Sequence, residues 1–239
     1  MEKKYRGFTL AEVLITLGII GVVAALTLPA LIQKNNNKVV ETRLMKFYSA
    51  INQAVKMAEV DYGDKKIWYQ DVEGAALDDE GKPVPGSSEA EKWFNKYLAP
   101  YLKITKTDTL ANGAFIVYFP DGSALSQAGR HTTRDWVFYP GGNPEKCDYS
   151  DGNSYGTCLF HFNFNPANTQ PRWSHNYNKG FEPWKYYWNG TEEQLKNACY
   201  KNQPIYESEN VNSGRFYCAA YIQLNGWKIP DDYPYKVSY

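Results

Sequence analysis

The sequence predicts an α+β protein in which a long N-terminal helix packs on a small antiparallel sheet in a C-terminal globular head. Residues 8–32 contain a single charged side chain, Glu12, and an apolar pattern of helical period follows them. Further along, short aromatic and β-branched runs alternate with Pro, Asp and Gly, which is typical of antiparallel strands. The expected organisation is a short basic segment at 1–7, a membrane-spanning half-helix at 8–32, an amphipathic half-helix at 33–62 and the head at 63–239.

The charge balance excludes a strongly basic protein. The 239 residues include 26 Lys and Arg against 26 Asp and Glu, so no net positive charge is available to neutralise phosphates. No specific nucleic-acid partner is therefore predicted. Hydrophobic residues make up 43% of the chain and charged residues 22%, which is typical of a folded protein rather than a disordered one.

The apolar segment at residues 8–32 is long enough to cross a membrane as one helix. At about 1.5 Å per residue it reaches roughly 37 Å, against a hydrocarbon core of about 30 Å. An ordinary secretory signal peptide is disfavoured because its apolar region is usually about 7–15 residues long, and only Ala24-Ala25 offers a weak cleavage site. A plain anchor fits the length but leaves Glu12 unexplained, since a carboxylate inside lipid is costly.

The first residues resemble a known export signal. The sequence GFTLAE at residues 7–12, followed by VLITLGIIGVVAALTLPAL at 13–31, is similar to the class III signal of type IV pilins and type II secretion pseudopilins. The resemblance implies that Gly7 ends a leader peptide that prepilin peptidase removes. It implies that Phe8 then becomes an N-methylated N-terminus. Glu12 would engage the N-terminal amine of its own chain or of a neighbouring subunit.

The same resemblance implies a function and a location. The chain would be a filament-forming minor pilin or pseudopilin of a type IV pilus, type II secretion or DNA-uptake system. It would cross the cytoplasmic membrane once and carry its head outside the cytoplasm. The implied partners are prepilin peptidase, other pilin subunits through the N-terminal helix, an inner-membrane assembly platform and membrane lipid. The alternative is a membrane-anchored extracytoplasmic binding protein or enzyme that uses a pilin-type signal.

Two residues of the apolar segment have alternative interpretations. Glu12 could instead serve its own helix alone, because a carboxylate complements the positive end of the helix dipole. Pro29 lacks a backbone donor and is expected to kink or loosen the helix, or else to mark the end of the span with a fresh helix beyond it. Gly18 and Gly21 are small enough to permit close helix packing in the membrane.

A second apolar pattern follows the membrane segment. Its members recur at steps of three and four, with polar residues such as Glu41, Arg43 and Lys46 on the opposite side. The pattern predicts a helix that buries one stripe on the sheet. The stripe consists of Val40, Leu44, Phe47, Ile51, Val55 and Ala58.

The head shows two helix starts and a run of strands. Capping-box patterns, Ser88 with Glu91 and Thr191 with Gln194, predict helices that end before Pro100 and near residue 200. Residues 63–86 are rich in Gly, Asp and Pro and are interpreted as a loop. Strands are predicted at 114–119, 123–127, 136–139 and 158–164, while 215–225 is ambiguous and favours helix.

All four cysteines lie in the head. An even number on the translocated side of a membrane predicts disulfides, because that compartment is oxidising. Three pairings are possible, and the short-range one is favoured. Each bond would then close a loop worth about 3 kcal/mol in the chain-entropy model. A zinc site and free buried thiols remain the alternatives. The favoured pairs are Cys147–Cys158 and Cys199–Cys218.

The sequence predicts no catalytic residue, metal site or cofactor. None of His131, His161 and His175 lies in an H-E-x-x-H pattern, and there is no G-x-S-x-G elbow or phosphate-binding glycine loop. His161 is interpreted as a residue on a sheet face. The acidic residues of DYSDGN at 148–153 could offer oxygens to calcium but are interpreted as a turn. The sequon Asn189-Gly190-Thr191 is interpreted as a turn that leads into a helix cap.

Overall fold

The computed structural model describes residues 7–206 and 213–239, so residues 1–6 of the predicted leader lie outside the described part of the chain. The helices are α1 at Leu10–Tyr62, α2 at Lys65–Trp68, α3 at Glu89–Tyr97, α4 at Glu192–Lys201 and α5 at Cys218–Leu224. The strands are β1 at Lys106–Thr109, β2 at Phe115–Tyr118, β3 at Ala124–Gln127, β4 at Asp135–Tyr139, β5 at Phe160–Asn163 and β6 at Glu182–Pro183.

Helix α1 is continuous over 53 residues and passes through Pro29. A fresh helix beyond Pro29 was one of the two expectations for this position, and it is wrong. Pro29 removes one backbone donor, but the apolar residues on both sides are good helix formers and hold the helix together. The helix ends at Gly63, whose φ of 82° favours glycine, and the Gly63 N–H donates to the Glu59 carbonyl.

The six strands form one antiparallel meander in the order β1-β2-β3-β4-β5-β6. This confirms the α+β fold class and the four strands predicted from the sequence. Strands β1 and β6 were not predicted. They are the two edges of the sheet, where a polar run (KTDT) and a two-residue strand ending in Pro183 are tolerated because one side of each makes no ladder bonds.

The face of the sheet toward α1 forms the main core. Phe47 of the helix stacks on Phe138 of β4 with ring centroids 4.4 Å apart, and its ring meets Phe162 of β5 edge-on at 5.0 Å. Such aromatic contacts add to the free energy gained by removing the rings from water. All six residues of the predicted helical stripe are buried here, namely Val40, Leu44, Phe47, Ile51, Val55 and Ala58.

The outer face of the sheet is covered as well. Helices α4 and α5 and the loops around them pack on it and bury Tyr139, Leu159 and Tyr217. The disulfide Cys199–Cys218 joins α4 to α5, and Cys147–Cys158 ties the β4–β5 connection to the start of β5. This is the pairing that the sequence analysis favoured.

The region predicted to be a plain loop, residues 63–86, contains the short helix α2. The Asp64 side chain accepts from the Lys66 N–H and so caps that helix, and Trp68 at its end is buried. A loop prediction based on Gly, Asp and Pro content missed it because one helical turn has no detectable period. The ambiguous segment 215–225 is helical, as favoured, since α5 covers most of it.

The last part of the chain returns to α1. Glu41 accepts a hydrogen bond of 2.9 Å from the Ile229 N–H and pairs with Lys228 at 3.0 Å. Gln33 donates to the Val237 carbonyl over 3.1 Å. Polar side chains of α1 therefore hold residues 227–239 against the helix.

Candidate functional site

The residues at the predicted cleavage point lie at the exposed start of the chain that the structure describes. Gly7 and Phe8 precede α1, and the Phe8 side chain is 89% exposed. The helix starts at Leu10, and Thr9 is its N-cap. A scissile bond between Gly7 and Phe8 would thus lie in exposed, irregular backbone just before a helix, where a protease can reach it.

Glu12 and Thr9 form a reciprocal capping box. The Thr9 N–H and hydroxyl each donate to one Glu12 carboxylate oxygen over 2.8 Å, and the Glu12 N–H donates back to the Thr9 hydroxyl over 3.2 Å. A cap at Thr9 was not predicted. The T-x-x-E spacing that identifies it is the same pattern that predicted the caps at Ser88 and Thr191.

The first half of α1 is an uncovered apolar surface. None of the side chains at residues 8–32 is buried against the head, and the helix is long and apolar enough to cross a membrane by length and composition. Gly18 and Gly21 lie on this surface, and apart from the adjacent residues and backbone of α1 itself no group of the described chain lies within 4 Å of the position that a Cβ would take at either residue. This half-helix is therefore free to pack against lipid or another helix at close range.

A family model described as a family of unknown function (DUF6613) matches residues 30–237. The chain belongs to the DUF6613 family. A second model, described as the prokaryotic N-terminal methylation motif, matches residues 3–28. No curated protein and no solved structure matches the chain.

The two matches divide this DUF6613 protein close to Pro29. The methylation motif covers part of the predicted leader and most of the exposed apolar half-helix, while the DUF6613 match covers the half-helix that packs on the head and nearly all of the head. The motif is the signal of type IV pilins and pseudopilins, which confirms the resemblance seen in residues 7–31. It supports a pilin-like protein that prepilin peptidase processes, and a structural subunit rather than an enzyme.

The polar groups of the head that resembled binding motifs are engaged in turns. Asp148 accepts from the Ser150 N–H over 2.8 Å, and Asp151 accepts from the Asn153 N–H over 2.9 Å. Asn189 of the sequon accepts from the Thr191 N–H at the start of α4. Within residues 7–206 and 213–239, no group of three His, Cys, Asp or Glu side chains is arranged to hold a metal ion.

The three histidines of this DUF6613 protein lie apart from one another. His131 is exposed near Glu73, and His175 Nε2 lies 2.9 Å from the Trp188 carbonyl. His161 lies on the outer face of β5, where its ring stacks on Trp184 at 4.5 Å and meets Phe216 at 5.2 Å. Neither nitrogen of the buried His161 ring has a hydrogen-bond partner in the described ranges.

Acid should destabilise the head through His161. Burial lowers the pKa of His161 from 6.5 to about 4, with Asp135 opposing the shift and Arg134 adding to it. The unfolded chain therefore binds a proton that the folded chain does not, and stability is lost as the pH falls from about 6.5 to about 4. The expected loss is on the order of 3 kcal/mol.

The measurement is urea unfolding of the full chain in detergent at several pH values, compared with His161→Phe. The difference in unfolding free energy between the two proteins should change by on the order of 3 kcal/mol between about pH 7 and about pH 4. A constant difference over that range would show that His161 does not carry the effect.

Proposed function

We propose that this DUF6613 protein is a filament-forming subunit of the minor pilin or pseudopilin type, serving a type IV pilus, type II secretion or DNA-uptake system. The observation that carries the proposal is the division of α1. One unbroken helix of 53 residues exposes an apolar half at 8–32 and buries a stripe of its second half in the head. The exposed apolar half of α1 can be removed from water only by contact with lipid or with other helices.

The exposed half also suits open-ended assembly. A helix that presents the same apolar surface along its length can pack against copies displaced along the filament axis. Contacts between different surfaces of successive copies extend into a helical filament instead of closing into a dimer. The part of the chain beyond the span has 207 residues (239 − 32), two disulfides and many aromatic residues, which favours a minor or tip subunit over a major pilin.

Glu12 would pair with the new N-terminal amine of Phe8 in an adjacent subunit. In the described chain its carboxylate accepts only from neutral donors of Thr9. A carboxylate held in lipid is better stabilised by a full positive charge, because attraction between charges is strong where water is excluded. Cleavage after Gly7 creates this positive charge, because it frees the amine of Phe8 two residues before the start of α1.

Processing tests the proposal first. Cells that contain prepilin peptidase should yield a chain that begins with N-methyl-Phe8, since the leader ends at Gly7. Mass spectrometry of the N-terminal peptide measures this directly. Cells without the peptidase should retain residues 1–7, and Gly7→Leu should block cleavage in cells that have it, because the added side chain hinders approach of the protease to the backbone.

The control is Ala76→Leu, which adds the larger side chain at an exposed position of the head, far from the leader, and should leave cleavage unchanged. A mature start near Ala25 would identify an ordinary secretory protein and contradict the proposal. To test filament membership, cross-linking in a strain with tagged protein should join the processed form to other pilin-type subunits, whether the filament is periplasmic or on the cell surface. Processed protein that cross-links to no other pilin-type subunit would favour an anchored binding protein instead.

A further inference from the structure

A cavity of about 340 Å³ lies on the outer face of the sheet, beside the start of β4. It is remote in the chain from the exposed apolar half of α1, and nothing in the filament proposal uses it. The residues that matter for its chemistry are Arg134, Asp135, Tyr149, Tyr155, His161 and Trp184. Its size lies within the range of about 300–1,000 Å³ that is typical of small-molecule sites.

Tyr155 gives the cavity an unpartnered polar group. The residue is only 3% exposed, yet its hydroxyl makes no hydrogen bond with the residues that the structure describes. The hydroxyl oxygen is not among the buried atoms that lack a partner, so it keeps some accessible surface although the ring is buried. Since Tyr155 lines the cavity, a ligand oxygen seated there can form a hydrogen bond with this hydroxyl. Tyr149 presents a second phenol to the same space.

His161 adds a neutral polar group to the wall. Both ring nitrogens lack partners among the described residues, and burial keeps the ring uncharged near neutral pH by lowering its pKa to about 4. A neutral imidazole offers one donor and one acceptor. Both nitrogens are buried, so a ligand can hydrogen-bond to them only if the imidazole ring or its neighbours rotate.

The charges of the cavity cancel. Arg134 Nε lies 3.0 Å from one oxygen of Asp135, and Asn163 donates to that same oxygen over 2.6 Å. The ion pair leaves the site without net charge, so it favours neither an anion nor a cation. The rings of Trp184 and Phe216 supply apolar wall.

We propose that this cavity binds a small neutral molecule with several hydroxyl groups, of the size of a single sugar ring. A hydroxyl both donates and accepts, so it matches the phenols and the imidazole that line the site. The C–H faces of such a ring match the aromatic wall. The inference is independent of filament assembly and adds a recognition function to the head.

The experiment is a titration of the full chain, held in a detergent without a sugar headgroup. Tryptophan fluorescence and saturation-transfer NMR are followed with D-glucose, D-galactose and N-acetyl-D-glucosamine, each up to about 10 mM, so that a Kd of about 1 mM is measurable. At least one sugar should bind. Tyr155→Phe, which keeps the ring and removes the hydroxyl, should weaken binding at least about tenfold.

The matched control is Tyr177→Phe, which removes an exposed hydroxyl outside the cavity and should leave the Kd unchanged. Thermal unfolding of both variants verifies that each is folded. Failure of all three sugars to bind would overturn the proposal, and so would equal binding by Tyr155→Phe. Sodium acetate that binds as tightly as the best sugar would also overturn it, because the site would then select an anion.

Discussion

Replacement of Glu12 by alanine should yield a protein that is inserted and cleaved normally but fails to enter filaments. The variant loses the one charge of the apolar half-helix, so insertion should become easier, by less than the about 2.5–3.5 kcal/mol that a charge at a helix centre costs, because Glu12 lies in the first turn of α1. Assembly should fail because the amine of Phe8 in the adjacent subunit loses its counter-charge in a water-free environment. The measurement is the ratio of filament-associated to membrane-retained protein in a strain that makes the variant.

Two further variants separate the charge from the capping role of Glu12. Glu12→Gln keeps the size and hydrogen bonding but removes the charge, and it should assemble as poorly as Glu12→Ala. Thr9→Val removes the side chain that caps the helix with Glu12, at a cost of about 0.5–2 kcal/mol, and leaves the carboxylate charged. It should therefore assemble much better than either Glu12 variant.

The opposite order of the assembly defects would show that Glu12 acts only by capping its own helix. If Thr9→Val assembled as poorly as Glu12→Ala while Glu12→Gln assembled normally, the carboxylate would act through the cap. Normal incorporation of Glu12→Ala would show that pairing between subunits is not a necessary step.

The helical part of the fold could be predicted because its patterns are long and local. The stripe from Val40 to Ala58 repeats over five turns, and every predicted member is buried. Pro29 illustrates the limit of a local rule. A proline favours a break, but the helix continues through it because the loss of one backbone donor is small beside the hydrogen bonds of a 53-residue helix.

The head was less predictable because its outer sheet face is also buried. Residues such as Leu159 and His161 alternate with Phe160 and Phe162, so the strand was visible, but the pattern could not say what covers the second face. The candidate sugar cavity could not be predicted at all. Its residues are scattered from Ala128 to Phe216 and meet only through the meander and the packing of the turn that precedes α5.

Phe47→Ala should cause the largest loss of stability among single substitutions on α1. Phe47 is 5% exposed and lies between the rings of Phe138 and Phe162, where truncation to alanine leaves a cavity. The expected cost is about 3–5 kcal/mol, a large part of the roughly 5–15 kcal/mol that holds a typical domain folded. Urea unfolding of the full chain in detergent, followed by tryptophan fluorescence, measures the loss.

Met45→Ala is the matched control, since Met45 lies on the same helix but is 51% exposed. Its cost should stay within about 0.5 kcal/mol, as is usual for surface positions. Equal effects of the two substitutions would mean that the buried stripe does not hold the helix on the sheet. A large effect of Phe47→Ala alone would show that this aromatic contact holds α1 on the sheet, and α1 is the element of the described chain that continues from the apolar half at 8–32 into the core of the head.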